Sequence, residues 1–284
     1  MYKTLGGIVV FNPDIARLIE NISSIRYQVD EIILIDNGSQ NILEIEKIDM
    51  VKNIKIIKNG SNKGIAFALN QIIEYSKDNS FDWAITLDQD SVCPPNLVLD
   101  YSKYFDFEDI GIICPYNIDI KSKQKSCKKG FDFVDWCITS ASCINVSRCF
   151  NKVSFDEKMF IDLVDVDYSY QVRKNNLKIL RDYDIVISHQ LGDLKEFNIF
   201  HRIIEVTNHS PIRKYYYSRN CIYLCNKYKD DKTIVKLWRY KLKILILKTI
   251  IFEGKKLCKL KYIYRGIKNG RRLSKGIGEK AYDY

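Results

Sequence analysis

Trp83-Ala84-Ile85-Thr86-Leu87-Asp88-Gln89-Asp90-Ser91 is an apolar run that stops abruptly at two carboxylates, two residues apart. The run reads as a β-strand. In extended backbone, side chains at i and i+2 point the same way, so Asp88 and Asp90 are expected to crowd one side of the strand end. Two like charges so placed repel each other unless a cation lies between them. A divalent ion does this well, because Mg²⁺ commonly takes one or two protein carboxylates and completes its shell from substrate phosphates. The bland alternative is a polar cap on a strand.

The chain leading up to this strand has a regular rhythm. Residues 5–11 (LGGIVVF) form an apolar run ended by Asn12-Pro13, a turn and helix-start signal. Ile15, Leu18, Ile19 and Ile22 then recur at helical spacing. Residues 31–36 (EIILID) predict a second strand, stopped by Asn37-Gly38-Ser39, and residues 54–58 a third, stopped by Asn59-Gly60. A helical pattern over 65–75 precedes the fourth strand, 82–87. Such βαβα alternation with short loops predicts a mostly parallel sheet covered by helices. Ligands of these sheets bind outside the carboxyl ends of the strands, where Asn12, Asp36, Asn62 and Asp88 all fall.

Beyond Pro94-Pro95 the pattern changes. Residues 111–114 and 131–146 read as further strands separated by a lysine-rich loop (121–129), which reads as a solvated loop. Residues 165–175 read as a helix, 177–188 as a last strand, and the chain from Pro211 onward as helix. The expected boundary lies near 226–233. It gives a catalytic domain over 1–226 (nucleotide-binding part about 1–110, acceptor part about 111–226) and a basic helical extension over 227–284.

Charge supports that division. Residues 227–284 hold 18 Lys and Arg against 5 acids, while the rest of the 284-residue chain holds 27 against 30. A tail this basic fits nucleic acid, an anionic membrane surface or substrate phosphates. Within it, Trp238, Leu242, Leu245, Ile246 and Ile250 alternate with lysine and arginine, a pattern suited to lying on an anionic bilayer. Ordinary packing with a lysine-rich outer face is the alternative. No segment approaches the ~20 apolar residues of a spanning helix, and the first apolar run lacks a signal-peptide cleavage site, so a cytosolic location is expected. The nine cysteines form no Cys-x-x-Cys and no Cys/His cluster, and read as free, mostly buried thiols.

Four constellations bear chemistry. Asp36 ends a strand before a turn, either to receive hydrogen bonds from a base or ribose or merely to cap that turn. Asn62-Lys63-Gly64 opens a helix, where glycine admits close approach and free N–H groups favour anions. Asp88-Gln89-Asp90 is the third. The fourth is 155–167 (FDEKMFIDLVDVD), with Arg173 beyond, an acidic stretch opening a helix.

In this order, VVFNP, LIDNGS, NKGIAFALN, TLDQDS, FDEKMFIDLVDVDYSYQVR, HQLGD and HSPIRKYYYSRN closely resemble the family 2 GT-A glycosyltransferases, in their bacterial rhamnosyltransferase-like branch. The resemblance covers about residues 5–225. It implies an α/β, Rossmann-like GT-A fold, with a mostly parallel sheet flanked by helices, here carrying a helical basic C-terminal extension. It also implies a nucleotide-sugar donor, Mg²⁺ or Mn²⁺, and inverting transfer. By resemblance, Phe11, Asp36, Asn62 and Gly64 line the nucleotide pocket and Asp88 and Asp90 form the metal pair. Asp165 is the catalytic base, supported by Asp167 and Arg173. His189 joins the metal, Arg213 and Arg219 stand near the diphosphate, and Ser140 and Trp136 lie on the acceptor side. Val10 replaces a common hydroxyl residue, and Ala141 a common glycine. The implied reaction moves rhamnose from dTDP-rhamnose, or another sugar from a UDP-hexose or UDP-galactofuranose, to a lipid-linked oligosaccharide acceptor of surface polysaccharide, O-antigen or capsule. The implied place is the cytoplasmic face of the cell membrane, with the extension on the anionic lipid surface.

Two rivals stand beside this reading. A nucleotidylyltransferase would carry a glycine-rich basic loop after the first strand, where this chain has Asn12-Pro13-Asp14. A nucleic-acid-binding protein would use the basic tail, but the acids at 162–167 repel a phosphate backbone, so no nucleic acid partner is expected. Oligomerisation is left open.

Overall fold

The computed structural model describes residues 2–50, 54–119, 128–189, 195–199 and 202–276. They divide into two compact units, one of residues 1–157 with 164–190, the other of residues 158–163 with 191–284.

The first unit is built on a sheet of eight strands. These are β1 (Thr4–Val10), β2 (Glu31–Asp36), β3 (Ile54–Lys58), β4 (Trp83–Asp88), β5 (Ile110–Asp119), β6 (Phe131–Phe133), β7 (Ser142–Asn145) and β8 (Lys178–His189). They lie in the order β3-β2-β1-β4-β7-β5-β8-β6. The first four run parallel, with Val10 beside Asp36 and Val9 beside Asp88, and β7 turns antiparallel against β4. The chain steps outward from β1 to β3, then returns to the other side of β1 as β4. This reversal of strand order opens a crevice at the carboxyl ends of β1 and β4.

Helix α1 (Ile15–Ile25) starts at Asp14, whose carboxylate receives the Arg17 N–H, and buries Leu18, Ile22 and Ile25 against Ile8, Val10, Leu34 and Ile85. Each such aliphatic side chain contributes about 1.5–3 kcal/mol on burial. Short α2 (Ile42–Glu46) precedes β3. α3 (Ile65–Asp78) buries Leu69, Ile72 and Ile73, α4 (Leu97–Ser102) buries Leu97, Val98 and Tyr101, α5 (Val146–Cys149) is a single turn, and α6 is Val164–Lys174.

Residues 131–146, expected as one strand, are two. Chain 134–141 leaves the sheet between β6 and β7 and re-enters through a turn in which the Ser142 N–H bonds the Thr139 carbonyl. Ala141 lies there at φ 57°, the left-handed region, where a glycine would sit without strain.

The second unit holds the antiparallel hairpin β9 (Lys195–Ile199) and β10 (Arg202–Val206), which the sequence reading did not anticipate, and three helices. α7 is Pro211–Lys227, α8 is Lys232–Phe252 and α9 is Lys256–Leu273. Ser210 caps α7 ahead of Pro211, and Asp231 caps α8 through the Thr233 and Ile234 N–H groups. The join expected near 226–233 is the turn between α7 and α8, inside this unit. Tyr215 and Tyr216 are buried core residues. α9 crosses α7 on Gly266 and Gly270, where a Cβ atom would meet the Tyr215 and Arg219 carbonyls at 2.4 Å. Glu253 lies buried between Lys214 and Lys259, at 2.5 and 2.6 Å. No helix among the described residues is long and apolar enough to cross a membrane. Among the described residues eight cysteines are free, seven of them buried and Cys258 exposed.

Candidate active site

The carboxyl ends of β1 to β3 lead into three loops tied together by side-chain amides. Both Asp36 oxygens receive N–H groups of their own turn, Gly38 at 3.2 Å and Ser39 at 3.0 Å. The turn-capping role is therefore present, and Asp36 is buried. Each carboxylate oxygen keeps a second acceptor direction. Gly38, at φ 86°, lies against the Ser61 backbone. Asn37, not singled out from sequence, is the knot of this end. Its Nδ2 donates to Asn62 Oδ1 (3.0 Å) and the Gly64 carbonyl (3.2 Å), and its Oδ1 receives the Lys63 N–H (3.1 Å). Asn62 and Gly64 thereby sit beside Asp36, with Gly64 as the N-cap of α3. Phe11 and Asn12 complete the rim. The Asn12 N–H donates to Ser39 Oγ (2.9 Å), and the Phe11 N–H to Gln89 Oε1 (2.8 Å).

The two acids of the fourth strand do not both lie in extended backbone. Asp88 is the last residue of β4, and the Ser91 N–H returns to its carbonyl at 3.1 Å, so Gln89 and Asp90 are the corners of a turn. The same-side expectation from an extended strand is corrected accordingly. α1 holds the turn by its carbonyls. Asn21 Nδ2 donates to Asp88 O at 2.6 Å, and Arg17 Nε to Asp90 O at 2.9 Å. Asp90 is exposed.

Chain 134–141 links this turn to the middle of α6. On one side, the buried hydroxyls of Ser91 and Ser140 lie 2.5 Å apart. On the other, the Cys137 N–H donates to Ser169 Oγ at 3.3 Å. The neighbouring Cys114 thiol lowers the pKa of Cys137, while its own burial and the charge of Asp165 oppose that shift. Asp165 is half-buried in the first turn of α6 and receives the Val166 N–H at 2.9 Å. Asp167 is fully buried and receives Gln171 Nε2 at 2.8 Å, a bracing position. Arg173 lies in the last turn, paired with Asp135 at 2.9 Å, so it anchors chain 134–141. Trp136 is exposed, and its carbonyl receives Arg181 Nη2.

His189 is the last residue of β8, registered against Asp119; its side chain lies outside the described residues. Lysines 121–127 lie outside them too. No group of three or more His, Cys, Asp or Glu that could hold a metal occurs among the described residues. A divalent ion held by Asp88 and Asp90 would have to take its remaining ligands from elsewhere, as from a diphosphate.

Arg213 and Arg219 belong to the second unit. Arg219 is buried, donating to the Lys158 carbonyl (2.6 Å) and Asn220 Oδ1 (3.0 Å). Arg213 pairs with Asp162 at 2.7 Å. Asn220 Nδ2 donates to the Ile161 and Asp162 carbonyls at 2.9 and 2.7 Å. These bonds hold Asp162 and Leu163 at φ 69° and 63°, immediately before α6. Each such residue costs about 1–2 kcal/mol. The half-exposed Arg213 pair contributes about 0–1 kcal/mol. The Asn220 bonds contribute about 1 kcal/mol each and the charged Arg219 bond about 1.5–3, so Asn220 and Arg219 fix this loop.

A sheet whose strand order reverses beside a paired-acid turn, with a further acid at the head of a following helix, is the GT-A arrangement. The chain belongs to glycosyl transferase family 2, whose model matches residues 7–161. It is 27% identical over 237 residues to the dTDP-rhamnosyl transferase RfbF of Shigella flexneri, covering 78% of this chain and 79% of that protein. Its fold is similar to S. aureus TarS 1-349 in complex with UDP, at TM-score 0.54 and 14% identity, over 67% of this chain and 61% of that one. It is also similar to GalNAc-T7 with UDP, GalNAc and Mn²⁺, at TM-score 0.56 and 15% identity, over 78% and 51%. This chain thus spans less than two thirds of either structure's length.

Proposed function

We propose that this glycosyltransferase moves rhamnose from dTDP-rhamnose, with inversion, to a lipid-linked glycan of surface polysaccharide at the inner face of the cell membrane. The observation that carries the site is chain 134–141, hydrogen-bonded at Ser140 to the turn bearing Asp88 and Asp90 and at Cys137 to α6, the helix whose first turn bears Asp165. Similarity to a dTDP-rhamnosyl transferase over most of both chains supports the donor.

In this reading Asp36, Asn62, Gly64 and Phe11 receive the nucleoside. Asp88 and Asp90 hold Mg²⁺ or Mn²⁺, which when bound offsets the charge left on the departing diphosphate. Asp165 takes the proton of the acceptor hydroxyl as that oxygen attacks the sugar. Asp167, buried and hydrogen-bonded, keeps the first turn of α6 in place. Trp136 offers an exposed ring to the acceptor sugar. The strained pair Asp162 and Leu163 is held by α7.

A panel of dTDP- and UDP-sugars, each with and without Mn²⁺, tests the reading by thermal stabilisation, since a ligand that binds only the folded state raises Tm. dTDP-rhamnose with metal is expected to give the largest rise. Equal rises without metal, or a larger rise with a UDP-sugar, would remove the metal or the donor respectively.

A further inference from the structure

The second unit holds a cavity of about 490 Å³ between α7, α8 and the end of β10. Cavities of ~300–1,000 Å³ receive small ligands or one end of a larger one. Its walls have two characters. Leu237, Tyr240, Lys241, Ile244, Leu245 and Lys248 form one stripe of α8, at helical spacing. Across from them α7 presents Arg213, Lys214 and Tyr217. The four bases Arg213, Lys214, Lys241 and Lys248 outnumber the two lining acids, Asp162 and Glu253. Asp162 lies on Arg213, and Glu253 is shared between Lys214 and Lys259, so the acids are already engaged with bases and the cavity keeps a positive excess. An anion is favoured at that end. The aliphatic side chains favour an apolar chain along the stripe.

The mouth of the cavity indicates where such a molecule comes from. Leu237 and Tyr240 line it, yet are 44% and 61% exposed. The same outer side of α8 exposes Leu247, Ile250 and Ile251 among the exposed Lys236, Arg239 and Lys243. A basic face with exposed aliphatic residues suits a lipid–water boundary. A molecule with its chain in that boundary and a phosphate at its head could therefore enter past Leu237 and Tyr240.

We infer that this cavity binds the phosphate or diphosphate ester end of a long-chain lipid, with the first chain segment along Ile244 and Leu245. The inference rests on the proposed function, in which that lipid is the carrier of the acceptor glycan. An anionic bilayer phospholipid shares the chemistry, and the experiment separates the two.

The full-length protein is titrated with geranyl diphosphate, with inorganic diphosphate, and with vesicles of phosphatidylglycerol in phosphatidylcholine. Each titration is repeated with dTDP and Mg²⁺ present. The parent is expected to bind geranyl diphosphate more tightly than inorganic diphosphate, and Ile244→Trp, which puts a bulky ring across the apolar stripe, to weaken it about tenfold or more. Lys241→Gln combined with Lys248→Gln is expected to give a similar loss without filling the space. Vesicle binding that survives Ile244→Trp assigns the site to the glycan carrier. Vesicle binding lost in parallel assigns it to bilayer phospholipid. Equal affinity of parent and both variants for geranyl diphosphate overturns the site. dTDP binding is followed separately, so a parent that binds geranyl diphosphate but not dTDP removes the proposed dTDP-rhamnose donor and leaves the cavity assigned.

Discussion

A methyl group on residue 38 would stand 2.6 Å from the Ser61 Cα, at a backbone φ of 86°. Strain and overlap together predict that Gly38→Ala costs about 2–4 kcal/mol, read as a lowered urea midpoint. Because Asp36 bonds the Gly38 amide, nucleotide affinity is expected to fall as well. Asp165→Asn keeps the shape and removes the base. Transfer is expected to drop about 10²–10⁴-fold while Kd for the nucleotide stays near the parent value; transfer at the parent rate would end the base assignment. The positions of the acids at strand and helix ends were legible in the sequence because each follows an apolar run that stops abruptly or opens a helix. Their supports were not. Ser91 and Ser140 meet across 49 positions, and Cys137 and Ser169 across 32, with no local signal. Asn37 and Gln89 stood inside quoted motifs, but their amides bond to neighbouring loops that only the folded chain brings near.

At the scale of elements, β1 to β4 and α1 and α3 were readable because each carries a clean period and a turn signal. The apolar pattern over 131–146 concealed an excursion, since loop residues Trp136, Cys137 and Ile138 are apolar too. The β9–β10 hairpin was missed because no Asn-Gly or similar turn pair marks it. His209, just before α7, was also not singled out. Burial, and then the charge of Arg213, hold it down to about 4 from 6.5. Between these values the unfolded chain binds a proton that the native chain does not. Stability at this site is therefore present above 6.5 and lost as pH falls toward 4. Urea midpoints at several pH values are expected to fall less steeply over this window in His209→Gln than in the parent.

Across the whole molecule, charge is unevenly spread. The excess of bases sits in the last 58 residues, and both α8 and α9 expose apolar side chains among them, Leu257 and Tyr264 on α9 included. A lysine or arginine near an anionic surface contributes about 1 kcal/mol, and salt screens it within a Debye length of about 8–10 Å at 0.1–0.15 M. Sedimentation with phosphatidylglycerol vesicles is expected at low salt and to fall sharply by about 0.5 M NaCl. Retention on neutral vesicles at either salt would remove the electrostatic part of this account. The sequence carried this expectation through its charge count alone. It held no sign of the cavity beside α8, which arises only when α7 and α8 pack.

Gly266 and Gly270 give the last helix a bare flank, and that flank rests on the main chain at the very residue, Arg219, whose guanidinium grips Lys158. α9 is thus a keel for the part of α7 that holds the segment 158–163. Adding a single carbon at either glycine would push α9 off α7 and slacken the grip of Arg219 on the segment 158–163 without touching that segment.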